Sequence, residues 1–425
     1  MIILPRLISV LATMALIPVV YADAPAAAVE VETDEERIAG WFYAGKLAEG
    51  TVKANAYVSD HPDDANARFQ LGVLKFLRAV ERFGQTQYRY GLSARNTIII
   101  PFVRIPVPKN DDPDEIGYEE FRQVLTRFVD DLGEAEQALA DVGDAEVKLR
   151  INLREIHFDF DKDGRSVEAE SLWSVFSTIN RPAARDAPAD GTVAFDSGDV
   201  EWLRGYCHLL QGLGNAVLAH DFEELYQRCG HLFYPRVKSQ YEFLQHQEGD
   251  NGNWSVNSIA DLISLVHLIN FEVVEPERMQ QAQKHLLEMI KRSRASWENI
   301  LAETDDDREW LPGPTQNAAL TSVRITGPMV ESWHTFLDES ESLLTGKKLV
   351  PFWRSAKAEV VAGTAKGLNL HRVFSQPRRF DLVLWVQGTD AAPYLEQGVL
   401  TDQRVWTQLI GAFRGQFWGF AIWIN

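Results

Sequence analysis

The sequence predicts a predominantly helical α+β protein, in which helical hairpins carry an inserted acidic loop and end in a small C-terminal sheet. Three observations predict this class. Apolar residues recur at helical spacing over long stretches such as 64–83 and 118–142. Only the segment 147–153 alternates cleanly between apolar and polar residues, as a half-buried strand does. Near the end of the chain, Phe380–Val386 and Phe417–Ile424 are almost wholly apolar, a pattern expected of strands buried on both faces.

The first element is expected to be removed before the protein works. Arg6 precedes an apolar run from Leu7 to Val20, and small residues lead to Ala22, so residues 1–22 read as a signal peptide and 23–31 as a tether. The run is shorter than the roughly 20 residues of a membrane span. A secreted or periplasmic location follows as an expectation, with no transmembrane segment in the mature chain. Thr33 and Glu36 have the spacing of a capping box and open an N-terminal helical region, 32–145. Within it, 64–83 places Phe69, Leu71, Val73, Leu74, Phe76, Leu77, Val80 and Phe83 around one helix. Its A-x-x-x-L-G spacing loosely resembles half of a tetratricopeptide unit, although no repeat of 34 residues accompanies it. Residues 97–107 are β-rich but broken by Pro101 and Pro106, as in an edge or irregular segment.

Region 146–182 is read as strand, loop and helix, followed by a Pro- and Ala-rich linker at 182–190. A central helical region, 190–303, contains helices predicted over 199–220, 222–229, 256–270 and 277–301. The remainder, 304–425, is a C-terminal α+β module that begins with an acidic turn at 304–315, adds a short strand at 321–326 and a helix at 329–344, and closes with the two apolar strands.

The loop from Asp159 to Glu170, D-F-D-K-D-G-R-S-V-E-A-E, carries the most specific chemistry. Carboxylates at its first, third and fifth positions can turn toward one point, Gly at the sixth allows a sharp bend, and Glu at the twelfth can return a further carboxylate. Hard oxygen donors in that pattern suit Ca²⁺. The twelve residues resemble an EF-hand-type calcium loop. That resemblance implies side-chain oxygen from Asp159, Asp161 and Asp163, the backbone carbonyl of Arg165, a water-mediated contact at Val167 and both carboxylate oxygens of Glu170. It departs from the family at Ser166, where an aliphatic residue usually pairs with a second loop, and in its strand-like entry. A single structural site is therefore expected rather than a paired sensor.

The chain has two cysteines, Cys207 and Cys229, and in an oxidising compartment these are expected to form a disulfide. A Cys₂His₂ metal site with His208 and His231 is disfavoured, because neighbours on a helix point about 100° apart. Glu331-x-x-His334 is half of a di-iron pattern with no second copy, so a surface Glu beside an interfacial His is preferred. Trp254, in the polar loop 248–255, could stack on a sugar ring. Trp173, Trp202, Trp333 and Trp385 lie in patterns that expect burial.

A net charge of −19 disfavours nucleic acid and anionic lipid and favours cations or basic partners. The sequence contains no G-x-S-x-G, P-loop, G-x-G-x-x-G or H-E-x-x-H. A calcium-binding module that binds or scaffolds a protein or an envelope polymer is the preferred function. The alternatives are an envelope hydrolase with its site in loops 248–255 and 304–315, and a calcium-dependent glycan-binding module.

Overall fold

The computed structural model describes residues 33–43, 45–92, 105–179, 191–246, 256–319 and 324–412. The expected signal peptide and tether, the 182–190 linker, Trp254 with its loop, the strand at 417–424 and part of the segments 97–107 and 321–326 lie outside those residues.

The first half of the described chain runs α1 (Asp34–Trp41), α2 (Leu47–Asp60), α3 (Ala65–Arg89), α4 (Tyr118–Ala140), β1 (Lys148–Asn152), α5 (Leu172–Ile179), β2 (Thr192–Asp196), α6 (Ser197–Leu218), β3 (His220–Asp221) and α7 (Glu223–Cys229). It continues through α8 (Val256–His267), β4 (Asn270–Val273), α9 (Pro276–Ala302), α10 (Gly327–Leu344), β5 (Val350–Pro351), α11 (Lys357–Ala362) and β6 (Gly367–Leu368). The last elements are α12 (Leu370–Ser375), β7 (Phe380–Asp381), α13 (Leu382–Gln387), β8 (Leu395–Glu396) and α14 (Gln403–Ala412). The protein is thus predominantly helical with small antiparallel sheets, as the periodicity predicted.

Local chemistry explains where the main helices begin. The capping box at Thr33 forms, with the Thr33 amide donating to Glu36 at 2.8 Å. Asp64 caps α3 by accepting the Ala67 amide at 2.9 Å. A second box, formed by Asp196 and Asp199, opens α6 two residues earlier than periodicity placed its start. Pro276 supplies the first turn of α9, where its missing amide hydrogen costs nothing.

Helices α2, α3, α4, α6 and α9 pack one on the next in that order. Their largest shared core holds Phe69, Leu74, Leu132, Leu139, Leu149, Phe158, Phe160 and Cys207. Strand β1 lies on that core with Leu149 and Ile151 facing inward, and it pairs antiparallel with β2 in the register Leu149↔Phe195 and Ile151↔Val193. A second core around Trp297 and Trp333 joins α9 to α10. Trp173 is buried as expected, whereas Trp202 and Trp385 are partly buried.

The C-terminal region corrects one expectation. Only Phe380 and Asp381 of the apolar run 380–386 are strand, and the rest is helix α13. Asp381 stops the strand by accepting the Leu384 amide at 3.0 Å, which caps a helix instead. Gly388 ends that helix with φ +105°, a conformation that disfavours side chains with a Cβ. The small C-terminal sheet is built by β5, β6 and β8, antiparallel throughout, while β7 joins β3 and β4 in another.

The expected disulfide is also corrected, since Cys207 and Cys229 are separate buried thiols. Cys207 lies in mid α6, roughly 16 Å of helix before its end at about 1.5 Å per residue, and Cys229 closes α7. A disulfide needs Cα atoms within about 7 Å, and the two thiols are not joined. Burial raises both thiols, that of Cys229 to about 11.

Candidate metal centre

The acidic loop is fastened at both ends. His157 and Ser171 form an antiparallel bridge, the Phe158 amide donates to the Glu170 carbonyl at 2.9 Å, and the Leu172 amide donates to the Ile156 carbonyl at 2.8 Å. The segment therefore returns to its starting point, and the intervening residues are held in a closed turn. Lys162 at φ +61° and Gly164 at φ +72° make the bends. The exit is one 3₁₀ turn, Glu168–Glu170, followed by α5, so the predicted helix over 168–179 is interrupted at Ser171.

Side-chain to backbone bonds shape the turn further. Asp161 accepts the Asp163 amide at 3.1 Å, Asp163 accepts the Arg165 amide at 2.7 Å and Asp159 accepts the Gly164 amide at 3.4 Å. Each Asp retains a carboxylate oxygen beyond the one used in these bonds. Asp159, Asp161 and Asp163 each bring one oxygen to a common region in which those atoms lie within 4.8 Å of one another. Converging hard oxygen donors around a single point are what a divalent cation such as Ca²⁺ requires.

Glu170 is placed differently from the expectation. It stands beside the cluster rather than among its converging oxygens, it is 1% exposed, and its Oε1 accepts the Phe160 amide at 3.0 Å. Burial, followed by the charges of Asp161, Asp159 and Asp163, raises its carboxyl to about 7. A cation nearby would offset those charges. Arg165 is exposed, and its guanidinium lies 3.7 Å from Asp163 at the rim of the turn. Val167 is also largely exposed. Ser166 packs against the turn at Gly45, where any Cβ would collide with its hydroxyl. The position that would face a second loop in an EF-hand pair is thus used to dock the α1–α2 turn.

Helix α3 supplies residues that sequence reasoning missed. Glu81 accepts the Asp159 amide at 2.8 Å, Gln85 donates to the Asp159 carbonyl at 2.8 Å, and Gly84 admits the Phe160 ring where a Cβ would collide with it. Phe160 stacks on Phe158 at 5.1 Å, and both rings are fully buried. The first residue of the acidic loop is therefore clamped to α3 from both sides of its peptide. The only sequence trace of this is Glu81 interrupting an otherwise apolar helix face, about 80 residues before the loop.

The weaker constellations disperse. His208 meets His285, with their Nδ1 atoms 3.0 Å apart, and His231 faces Asp261 at 3.7 Å. Among the described residues, no group that could hold a metal contains Cys or His. His157 bonds the Glu155 carbonyl at 3.1 Å. In the acidic turn 304–315, Asp305 and Asp307 pair with Lys148 at 2.8 and 2.9 Å, and Asp307 also pairs with Arg150. Comparison with known proteins finds no match for this chain among family models, curated proteins or solved structures.

Proposed function

We propose that this chain is an exported calcium-binding protein that serves as a binding or scaffolding module, with the ion held in the loop 159–170. The observation that carries the reading is the convergence of Asp159, Asp161 and Asp163 on one point, in a turn locked to the core through Phe160 and Glu81. Asp159, Asp161 and Asp163 would supply side-chain oxygens, Arg165 its carbonyl, and Glu170 a further carboxylate after release of the Phe160 amide. Ca²⁺ supplies charge neutralisation here. It allows three neighbouring carboxylates to sit together on a well-packed support, so its role is structural.

An open groove of about 1080 Å³ beside α7 supports the binding role. Glu115, Asp221, Glu223 and Glu224 line it together with Arg228 and Lys238, a balance that suits a basic segment of a protein partner. The loosely tetratricopeptide-like reading of the helical array draws support from α2 packing on α3 and α3 on α4.

Native mass spectrometry of metal-stripped protein returned to Ca²⁺ tests the site. Asp161→Asn is expected to lower the number of bound ions by one with the circular-dichroism spectrum unchanged. An unaltered ion count in that variant overturns the assignment.

A further inference from the structure

A cleft of about 720 Å³ opens where α2, α3, α4, α6 and α9 meet. It shares no residue with the acidic loop or with the groove beside α7. Helix α3 lends it Arg68, Leu71 and Lys75, whose spacing sets them on one face of the helix, the two cations about two turns apart. Gln211 and Asn215 come from α6, and Arg278 and Gln281 from α9. Among the described residues that line the cleft there is no Trp, Tyr or Phe.

The cations in the cleft are left without counter-charges that their neighbours have. On α3, Arg78, Arg82 and Arg89 pair with Glu81, Asp131 and Asp114. The two that face the cleft, Arg68 and Lys75, have no carboxylate partner among the described residues. Arg68 donates to the Asp141 carbonyl at 2.7 Å, a neutral acceptor, and its buried Nε has no hydrogen-bond partner. Lys75 is half-buried and makes neither a hydrogen bond nor an ion pair among the described residues. A cation that has lost part of its hydration without gaining a partner favours an anion brought to it.

The amides of α6 and α9 supply the second, independent observation. Gln211 is 7% exposed and Asn215 2%. Asn215 is fully committed, because its Oδ1 accepts Arg278 at 3.0 Å and its Nδ2 donates to the Gln211 carbonyl at 3.0 Å. Gln211 donates to the Cys207 carbonyl at 3.4 Å, but its Oε1 has no donor among the described residues. Gln281 has both halves of its carboxamide free among the described residues. A carboxamide offers one acceptor and a pair of donor hydrogens, so it can bond the carbonyl and the N–H of a peptide group at once. The buried Leu71, Val129 and Ala138 add apolar surface beside these amides. Asp130 and Glu134 stand exposed along α4 and oppose a ligand with many negative charges, so the lining suits a largely neutral chain with one anionic group.

We infer that this cleft binds a short, extended peptide carrying a single carboxylate, which Lys75 and Arg68 hold by charge while Gln211 and Gln281 bond its backbone. The volume falls within the range of about 300–1,000 Å³ usual for small-ligand sites, so it takes a few residues and not a folded domain. A polyanion is disfavoured by Asp130 and Glu134, and a sugar chain finds no Trp, Tyr or Phe ring to stack on. The site goes beyond the calcium reading and stands without it.

Isothermal titration calorimetry of the full chain in Ca²⁺ tests this with acetyl-Ala-Ala-Glu-Ala-Ala-amide and its neutral twin, in which Gln replaces Glu. The Glu peptide is expected to bind about tenfold more tightly than the Gln peptide, the worth of one charge-assisted contact. Lys75→Met should remove most of that difference while leaving the affinity for the Gln peptide unaltered, and Gln211→Leu should weaken both peptides alike. Acetyl-pentaalanine with a free carboxyl end identifies the source of the charge: binding equal to that of the Glu peptide adds a chain end to the ligands, weaker binding restricts them to an acidic side chain, and either upholds the site. The wild-type comparison needs no variant to fold. Equal affinity for the Glu and Gln peptides, no measurable heat from either, or a preference for Glu undiminished in Lys75→Met overturns the proposal. Binding of tri-galacturonate where the peptides fail overturns it in favour of an acidic glycan.

Discussion

Glu81 is a buried carboxylate whose value lies in what it accepts. Burial raises its carboxyl, the Arg78 charge opposes that rise, and the Asp159 amide is bound to its Oε1 at 2.8 Å. Replacing Glu81 with Ala leaves that amide without its acceptor, at a cost of about 1–3 kcal/mol. Calcium affinity is expected to fall with stability in Glu81→Ala, while Glu81→Gln, which keeps an acceptor oxygen, should retain most of both. Parallel calorimetric titrations and thermal melts check this, and equal losses in the two variants would exclude the proposed anchoring. His285 is a second residue with a definite sign. Burial, then the positive charges of His208 and Lys284, lower its imidazole to about 4 against the attraction of Glu136 and Glu288. The folded protein therefore resists a proton that the unfolded chain takes up near pH 6.5, so stability declines as pH falls from about 6.5 toward about 4. Glu136 acts in the same direction: burial opposes its ionisation, but hydrogen bonds from His208 and Arg204 hold it at about 2, so its contribution is lost in more acidic solution. For the half-buried His285 the effect is on the order of 1 kcal/mol after allowance for solvent screening. Melting curves recorded in EDTA across this range should be flatter for His285→Gln than for wild type.

Helix α3 acts as an element by presenting one spacing, Glu81, Gly84 and Gln85, to the loop. Gly84→Val would drive a branched side chain into the Phe160 ring and is expected to cost about 1–3 kcal/mol, the usual range for overpacking. Titration calorimetry should find calcium binding weakened in this variant, and undiminished affinity would show that the loop does not depend on α3. Several elements were legible in the sequence because short-range chemistry defines them. The Thr33 box and the alternation through Leu149 and Ile151 both form as their spacing predicts. The run 380–386 was misread because apolar composition alone does not distinguish a buried strand from a short helix, and the deciding residues, Asp381 and Gly388, stand at its edges. The 159–170 turn was legible in its Asp spacing but not in its support, since α3 is joined to it by tertiary packing alone.

For the whole molecule, metal removal has a stated direction. An ion bound only by the folded state stabilises it by about 2.7 kcal/mol at a free concentration 100 times its dissociation constant. Transfer to EDTA should lower the melting temperature by several degrees, and excess Ca²⁺ should restore it. An unchanged melt after verified stripping would remove the ion from the account of stability. The cysteines provide a second test at this scale. Because Cys207 and Cys229 are apart and buried, thiol labelling of unreduced protein should find two free groups per chain after denaturation and close to none before it. Recovery of no free thiol from the denatured chain would contradict this arrangement of α6 and α7.

The bond from Asp159 to Glu81 spans 78 positions of chain, so the loop cannot acquire its final shape until a segment made much earlier has become helical and docked. Cation capture during refolding should therefore lag behind the rise in helical signal, and a fragment that starts after α3 should fail to capture the ion despite carrying every Asp of the motif. In this protein the timing of metal uptake would record when distant parts of the polypeptide first meet.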